Sequence, residues 1–261
     1  MAVGRRLTVA YGRRVALSDC DFALPAASVT ALVGPNGSGK STLLNAVAGL
    51  VPPGRGRLEV LGAPAPAPRR RVAYVFQTAA SNELLPVTVR EVVTMGRFAE
   101  LGLFGRLRDH DRRAIQAAMD RLEVSDLADR HLRELSGGQR QRVQVAQGLA
   151  QEADVLLLDE PIIGLDLVSR QRILEAVQDE RAAGRAVVLS THDLEDAELA
   201  DHVLLLAGRV VAQGRPDQVL TARNLREAYG GRLLGANGDR PLIDDDHHHP
   251  AAHPAEAGQQ P

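Results

Sequence analysis

Apolar positions along this chain change their period twice. Up to about residue 75 they come in short bursts broken by turn formers. Residues 7–10, 15–17 and 21–24 are punctuated by Gly12 and Pro25, and residues 56–60 and Val72–Val75 follow as further strands. The Pro-Ala stretch at 63–68 is expected to be an exposed loop. Val29–Val33 runs directly into a glycine-rich turn, as a buried strand should, and residues 40–48 read as the helix after it, ending near Gly49. From about residue 89 to 151 the pattern turns helical. Ile115, Ala118, Met119 and Leu122 fall at i, i+3, i+4 and i+7 with charges opposite. The second half alternates: Val155–Leu158 strand, 167–183 helix, 186–189 strand, 194–199 helix, then strands at His202–Leu206 and 209–212. Such alternation predicts an α/β layer on a largely parallel sheet. After about Gly230 the apolar anchors thin out, and residues 237–261 are expected to be disordered.

The turn after Val29–Val33 reads Gly34-Pro35-Asn36-Gly37-Ser38-Gly39-Lys40-Ser41-Thr42. Its Gly-x4-Gly-Lys-Ser spacing is that of a phosphate-binding loop, in which backbone N–H groups cradle phosphate and Ser41 can hold Mg²⁺. Lys40 is the chain's one lysine; the other 30 of its 31 basic residues are arginine. A slim stem carrying a point charge can thread a tight loop where a planar guanidinium cannot.

A second candidate site is Val155–Leu158 followed by Asp159, Glu160 and Pro161. Strand neighbours face opposite ways, so one carboxylate can serve Mg²⁺ and the other an attacking water. A third is Leu135-Ser136-Gly137-Gly138-Gln139, opening a helix from about 138 to 151. A serine cap followed by glycines is a common helix start, and it also presents free N–H groups to an anion. Two phosphate-binding features for one nucleotide do not suit a self-sufficient enzyme.

Composition narrows the classes further. A net charge of −2 gives no electrostatic case for nucleic acid, and a single cysteine gives neither a disulfide nor a cysteine metal cluster. Apolar runs are far shorter than the ~20 residues of a membrane-spanning helix, and no signal segment opens the chain, so a cytosolic protein is expected.

Together these residues resemble the ATP-binding subunit of ABC (ATP-binding cassette) transporters, over roughly residues 7–229. Tyr11 matches the aromatic that stacks on adenine, Gly34 to Thr42 the Walker A loop, and Gln77 the glutamine loop. Ser136, Gly137, Gly138 and Gln139 match the signature, Asp159 and Glu160 Walker B, Asp166 the D-loop and His192 the switch histidine. Ile162 and Ile163 depart from the small or polar residues usual there. The resemblance implies a P-loop NTPase (RecA-like) core with an N-terminal antiparallel β subdomain and an inserted α-helical subdomain at about 80–150. The cassette would span residues 1–230, with 231–261 as a tail. It implies ATP and Mg²⁺ as cofactors, with Ser41, Gln77 and Asp159 organising the metal and Glu160, His192 and Gln77 catalytic. It also implies a homodimer formed on ATP binding, so that Ser136 and Gly138 close over the partner's nucleotide. Further partners would be membrane permease subunits and an extracytoplasmic metal-binding protein, with the chain peripheral on the inner face of the cell membrane.

The segment from Pro86 to Arg97, with 101–104 after it, resembles zinc- and manganese-type importer ATPases and points to divalent metal import, zinc first. An exporter ATPase, or an importer of another solute, would share every catalytic residue. A non-transport ABC ATPase of the chromosome-maintenance kind would need a long coiled coil between loop and signature, which the sequence lacks. His247, His248, His249 and His253, near Asp244 to Asp246, are a weak candidate for Zn²⁺ or else a solvated tail.

Overall fold

Most of the described strands lie in two sheets. The computed structural model describes residues 1–66, 69–76, 86–102, 105–230, 233–234 and 242–243. Strands β1 (Ala2–Tyr11) and β2 (Arg14–Leu24) form a hairpin turning at Gly12, whose φ of 59° suits glycine. β2 runs unbroken where the sequence predicts separate strands. The polar Ser18-Asp19 step that interrupts the period is an irregularity in pairing, with Arg6 (φ 47°) and Asp19 (φ 49°) in left-handed conformations. Thr8 Oγ1 accepts from the Asp19 N–H at 3.1 Å, and Asp21 Oδ1 accepts from the Arg6 N–H at 2.9 Å.

After β3 (Val29–Val33), helix α1 (Lys40–Val47) and β4 (Arg55–Val60), residues 63–64 depart from the predicted loop. They form a short strand, β5 (Ala63–Pro64), paired with Glu59 and Val60. Its edge position tolerates the missing N–H of proline. The antiparallel sheet has the order β2-β1-β4-β5.

Next come β6 (Val72–Val75) and the helices α2 (Val89–Met95), α3 (Phe98–Leu101), α4 (Asp109–Arg121) and α5 (Gly137–Ala150). Then follow β7 (Val155–Leu158), α6 (Leu167–Ala182), β8 (Ala186–Thr191), α7 (Leu194–Glu198), β9 (His202–Leu206) and β10 (Val210–Gly214). The second sheet has the order β10-β9-β3-β8-β7-β6, parallel except for the β9–β10 pair. Helices α8 (Pro216–Val219) and α9 (Ala222–Tyr229), not predicted from the periodicity, lie against β9 and β10. Within the stretch expected to lack structure, the backbone of Leu242–Ile243 pairs antiparallel with Leu233–Leu234. These two apolar residues interrupt an otherwise polar composition.

Alternation across the parallel sheet splits the core in two. Ala31, Val33, Leu156, Leu158, Val187 and Leu189 face Val143 and Val145 of α5 and Ile173 of α6. Leu32, Leu157, Val188 and Leu204 face α1 (Leu43, Leu44) and the antiparallel sheet (Leu7, Val9, Leu17). Strands β3, β7 and β8 are buried on both sides, so they read as near-continuous apolar runs. Gly148 lets α5 lie close on the sheet, since a Cβ there would meet Val75 Cγ2 at 2.7 Å.

The helical layer α2–α5 is stapled by Arg97, only 4% exposed. Its guanidinium donates to Asp111 Oδ1 at 2.9 Å, to Glu152 Oε2 at 3.0 Å and to the Ala150 carbonyl, at the C-terminal end of α5, at 2.9 Å. Removing one partner of a buried pair leaves the other charge uncompensated. Arg97→Ala is therefore expected to lower the unfolding free energy by about 3–5 kcal/mol in chemical denaturation. A loss below about 1 kcal/mol would show that this network does not hold the layer.

Candidate functional site

Strand β3 ends in the glycine-rich turn because nothing else fits its path. Gly34 (φ 155°) lies against the Leu206 carbonyl, and Gly39 (φ 104°) against the Leu17 side chain, with no room for a Cβ at either. Gly37 (φ 79°) needs its conformational freedom at the exposed crest. Gly39 is the N-cap of α1, which carries no side-chain cap and no acid in its first turn. The first-turn N–H groups and the positive end of the helix dipole thus lie at the loop, an arrangement that favours phosphate.

Lys40 is 5% exposed, and its ammonium donates to the Gly34 carbonyl at 2.7 Å and the Pro35 carbonyl at 3.3 Å. The stem is buried and the charge is held inside the loop. Ser38 Oγ is buried without a hydrogen-bond partner, as suits a group placed for a ligand. Asn36 and Ser41 are exposed, whereas Thr42 is buried.

Asp159 and Glu160 follow β7. Asp159 is 5% exposed and both its oxygens are engaged: Ser190 Oγ donates to Oδ1 at 2.6 Å and the Tyr74 hydroxyl to Oδ2 at 3.3 Å. Burial, then the charge and hydrogen bond of Asp159, push the Tyr74 phenol well above its usual range, so it stays a neutral donor. Glu160 has a φ of 51°, uncommon outside glycine. Its N–H donates to Ser190 Oγ at 2.8 Å.

Strand β8 carries on into His192 and Asp193. Thr191 Oγ1 accepts from the Asp193 N–H at 3.0 Å, and Asp193 caps α7 by accepting from the Glu195 N–H at 2.8 Å. Asp196 is bound to the Arg170 guanidinium. Burial and the nearby Asp193 charge raise its pKa, and Arg170 opposes that rise.

A cavity of about 1020 Å³ gathers these elements. Tyr11, Arg14, Val15 and Ala16 line one part, and Asn36, Gly37, Gly39, Lys40, Ser41 and Thr42 the phosphate-loop part. Glu160, Ile162, Ile163, Arg170, His192 and Asp196 are also among its lining residues. Tyr11 is 47% exposed, and its hydroxyl accepts from Asn45 Nδ2 at 3.4 Å; its ring is open enough to meet a flat ligand. Ile162 turns into the core while Ile163 stays exposed. Hard oxygen donors are present for Mg²⁺, in the exposed Ser41 hydroxyl and the buried Asp159 carboxylate, and that set suits the ion.

Ser136, Gly137, Gly138 and Gln139 do not line this cavity. Ser136 and Gln139 form a reciprocal cap on α5, with Gln139 N–H to Ser136 Oγ at 3.2 Å and Ser136 N–H to Gln139 Oε1 at 2.9 Å. Ser136 and Gly137 are exposed. Asp166 belongs with this second group. It caps α6 through the Ser169 N–H (2.9 Å) and hydroxyl (2.8 Å), and these bonds lower its pKa. A Cβ on Gly138 would meet Asp166 Oδ2 at 2.5 Å. Gln77, His247, His248, His249 and His253 lie outside the described residues. Among the described residues, no cluster of three or more His, Cys, Asp or Glu could hold a metal, and no helix is long and apolar enough to cross a membrane.

Ser190, Tyr74, Arg170 and Asp196 are the site residues that motif spacing missed. Ser190 lies two residues before His192, but only the adjacency of β7 and β8 gives it a role.

Residues 17–163 match the family described as ABC transporter. The zinc transport system ATP-binding protein TroB of Treponema pallidum (strain Nichols) is 40% identical over 228 residues, 87% of this chain and 86% of that protein. The manganese transport system ATP-binding protein MntB of Bacillus subtilis (strain 168) is 37% identical over 228 residues, 87% of this chain and 91% of that protein. Among solved structures, a dimeric ATP-binding cassette in a post-hydrolysis state with ADP and phosphate superposes with a TM-score of 0.72 at 26% identity, covering 83% of this chain and 99% of that one. Likeness of this extent means that the chain belongs to the ABC transporter family and is an ATPase.

Proposed function

We propose that this chain powers import of a divalent metal ion, zinc or manganese, by pairing with a second copy across ATP beneath separate membrane subunits. The observation that carries the paired mechanism is the separation just described: the cavity holds Lys40 and Glu160 but none of Ser136 to Gln139. A second copy placed head to tail would supply the missing helix end. Leu167 (81% exposed) and Val168 (58% exposed), beside Asp166, offer apolar surface for that contact.

In this mechanism Tyr11 stacks on the base, and the loop N–H groups with Lys40 hold the β- and γ-phosphates. Ser41 and Asp159, with Gln77, would hold Mg²⁺, which would supply positive charge to neutralise the phosphate oxygens. Glu160 accepts a proton as water attacks the γ-phosphorus. The bond from that phosphorus to the bridging oxygen breaks, leaving ADP and inorganic phosphate, while His192 contacts the γ-phosphate. Ser136 and Gly138 of the partner copy close over the same phosphate, and the pair opens once that phosphate is lost.

The choice of cargo rests on the names of the relatives, which include zinc, manganese and chelated-iron transport systems. The chain would lie on the cytoplasmic face through its membrane partners, with an extracytoplasmic metal-binding protein delivering cargo. The tail histidines enter only as weak Zn²⁺ ligands, to be tested by zinc titration of the chain with and without them.

Glu160→Gln is expected to lose about 10²–10⁴-fold in turnover, as removal of a general base does, while ATP-driven pairing measured by sedimentation persists. Turnover at the wild-type rate would remove Glu160 from this role. Lys40→Ala is expected to weaken ATP binding about 10–100-fold in equilibrium titration, corresponding to one or more charge-assisted hydrogen bonds lost. Reconstituted with its membrane subunits, the complex should show ATPase stimulation by zinc- or manganese-loaded binding protein and by no other solute. Stimulation by a metal-free substrate would overturn the metal assignment.

A further inference from the structure

We propose that Ser190 is a positioning residue for ATP hydrolysis, setting Asp159 and Glu160 in their working orientations through one hydroxyl. The inference rests on the roles given above to those two acids. Strands β7 and β8 are parallel with Leu158 opposite Leu189, so Asp159 and Ser190 are the next residues on adjoining strands. Ser190 is fully buried. Its Oγ lies 2.8 Å from the Glu160 nitrogen and 2.6 Å from Asp159 Oδ1.

The direction of both bonds follows from the donor inventory. A backbone N–H can only donate, so the serine oxygen accepts from Glu160. The hydroxyl's single proton is then left for Asp159, whose carboxylate oxygen must accept it. One atom pair thereby fixes the rotation of the metal-facing carboxylate and pins the amide of a residue held at a φ of 51°. A left-handed conformation in a residue with a side chain persists only where its surroundings over-determine it. With Tyr74 on Oδ2, the Asp159 carboxylate is clamped at both oxygens. Ser190 touches neither nucleotide nor water in this scheme; it acts through its neighbours.

The test is Ser190→Ala in the full chain, read by three measurements. ATP affinity in EDTA reports the phosphate loop and should stay within about twofold of wild type. Mn²⁺ affinity of the ATP-bound protein, by electron paramagnetic resonance, and kcat should each fall about 10–100-fold, the usual range when a supporting partner of a metal ligand is lost. Because metal-free ATP affinity is unchanged, the binding cycle requires KM for the metal–ATP complex to rise by about the factor by which Mn²⁺ affinity falls.

Ser190→Cys keeps nearly the same volume with a weak donor and acceptor, and should fall in the same direction even if the alanine variant does not fold. Wild-type Mn²⁺ affinity and kcat in either folded variant would overturn the proposal. So would an equal loss of metal-free ATP binding, which would mark a general collapse of the site. Glu160→Gln run alongside separates the two readings. Its loss of turnover with Ser190 variants unaffected sinks only this inference, whereas its retention of turnover sinks the role of Glu160 itself.

Discussion

The site depends on the register of three parallel strands. β3 pairs with β8 so that Val33 lies opposite Thr191, and β7 pairs with β8 so that Leu158 lies opposite Leu189. That alignment brings the glycine-rich loop, the acid pair and His192 to one edge of the sheet. Ligands of open α/β sheets bind beyond the carboxyl ends of strands for this reason. A slip of one residue would turn every side chain on the slipped strand to its opposite face. The two apolar clusters oppose such a slip, because Leu157 and Leu158 are sorted to different cores.

Polar groups are then taken out of water at that edge, and each has to be compensated. Asp159 is compensated by Ser190 and Tyr74, Asp196 by Arg170, and Lys40 by carbonyls of its own loop. An unpaired buried charge costs far more than a paired one, so these contacts are conditions of folding as well as of chemistry. Strain is present too: Glu160 sits in a left-handed conformation where it lines the cavity. Such outliers concentrate at working sites because geometry there takes precedence over local preference.

Much of this was legible in the residue order. Buried strands announced themselves as apolar runs, and glycines at 34, 37 and 39 stood where the backbone must turn through conformations closed to other residues. What was not legible depends on neighbours distant in sequence. Ser190 and Tyr74 carry no spacing signature; they matter because β8 and β6 flank β7. β2 looked interrupted because an irregularity in pairing breaks alternation without ending a strand. Residues 63–64 looked like a loop because proline is a poor strand former except at an edge. α8 and α9 are short, four and eight residues, and too brief for a period to emerge beside the long helices.

The separation of the signature from the cavity has a mechanical counterpart within the chain. Gly138 abuts Asp166 and Ser169 with no space for a side chain, so the N-terminus of α5 is seated on the N-terminus of α6. One residue after Ser169, Arg170 reaches the cavity and binds Asp196 of α7, whose cap Asp193 adjoins His192. A displacement of the exposed Ser136 end must therefore either open the Gly138 contact or move α6. Moving α6 strains the Arg170–Asp196 bond near His192. Close-packed contacts transmit displacement because they cannot be compressed. The surface that would receive a partner's phosphate is thus joined by a few side chains to the cavity that would bind the chain's own.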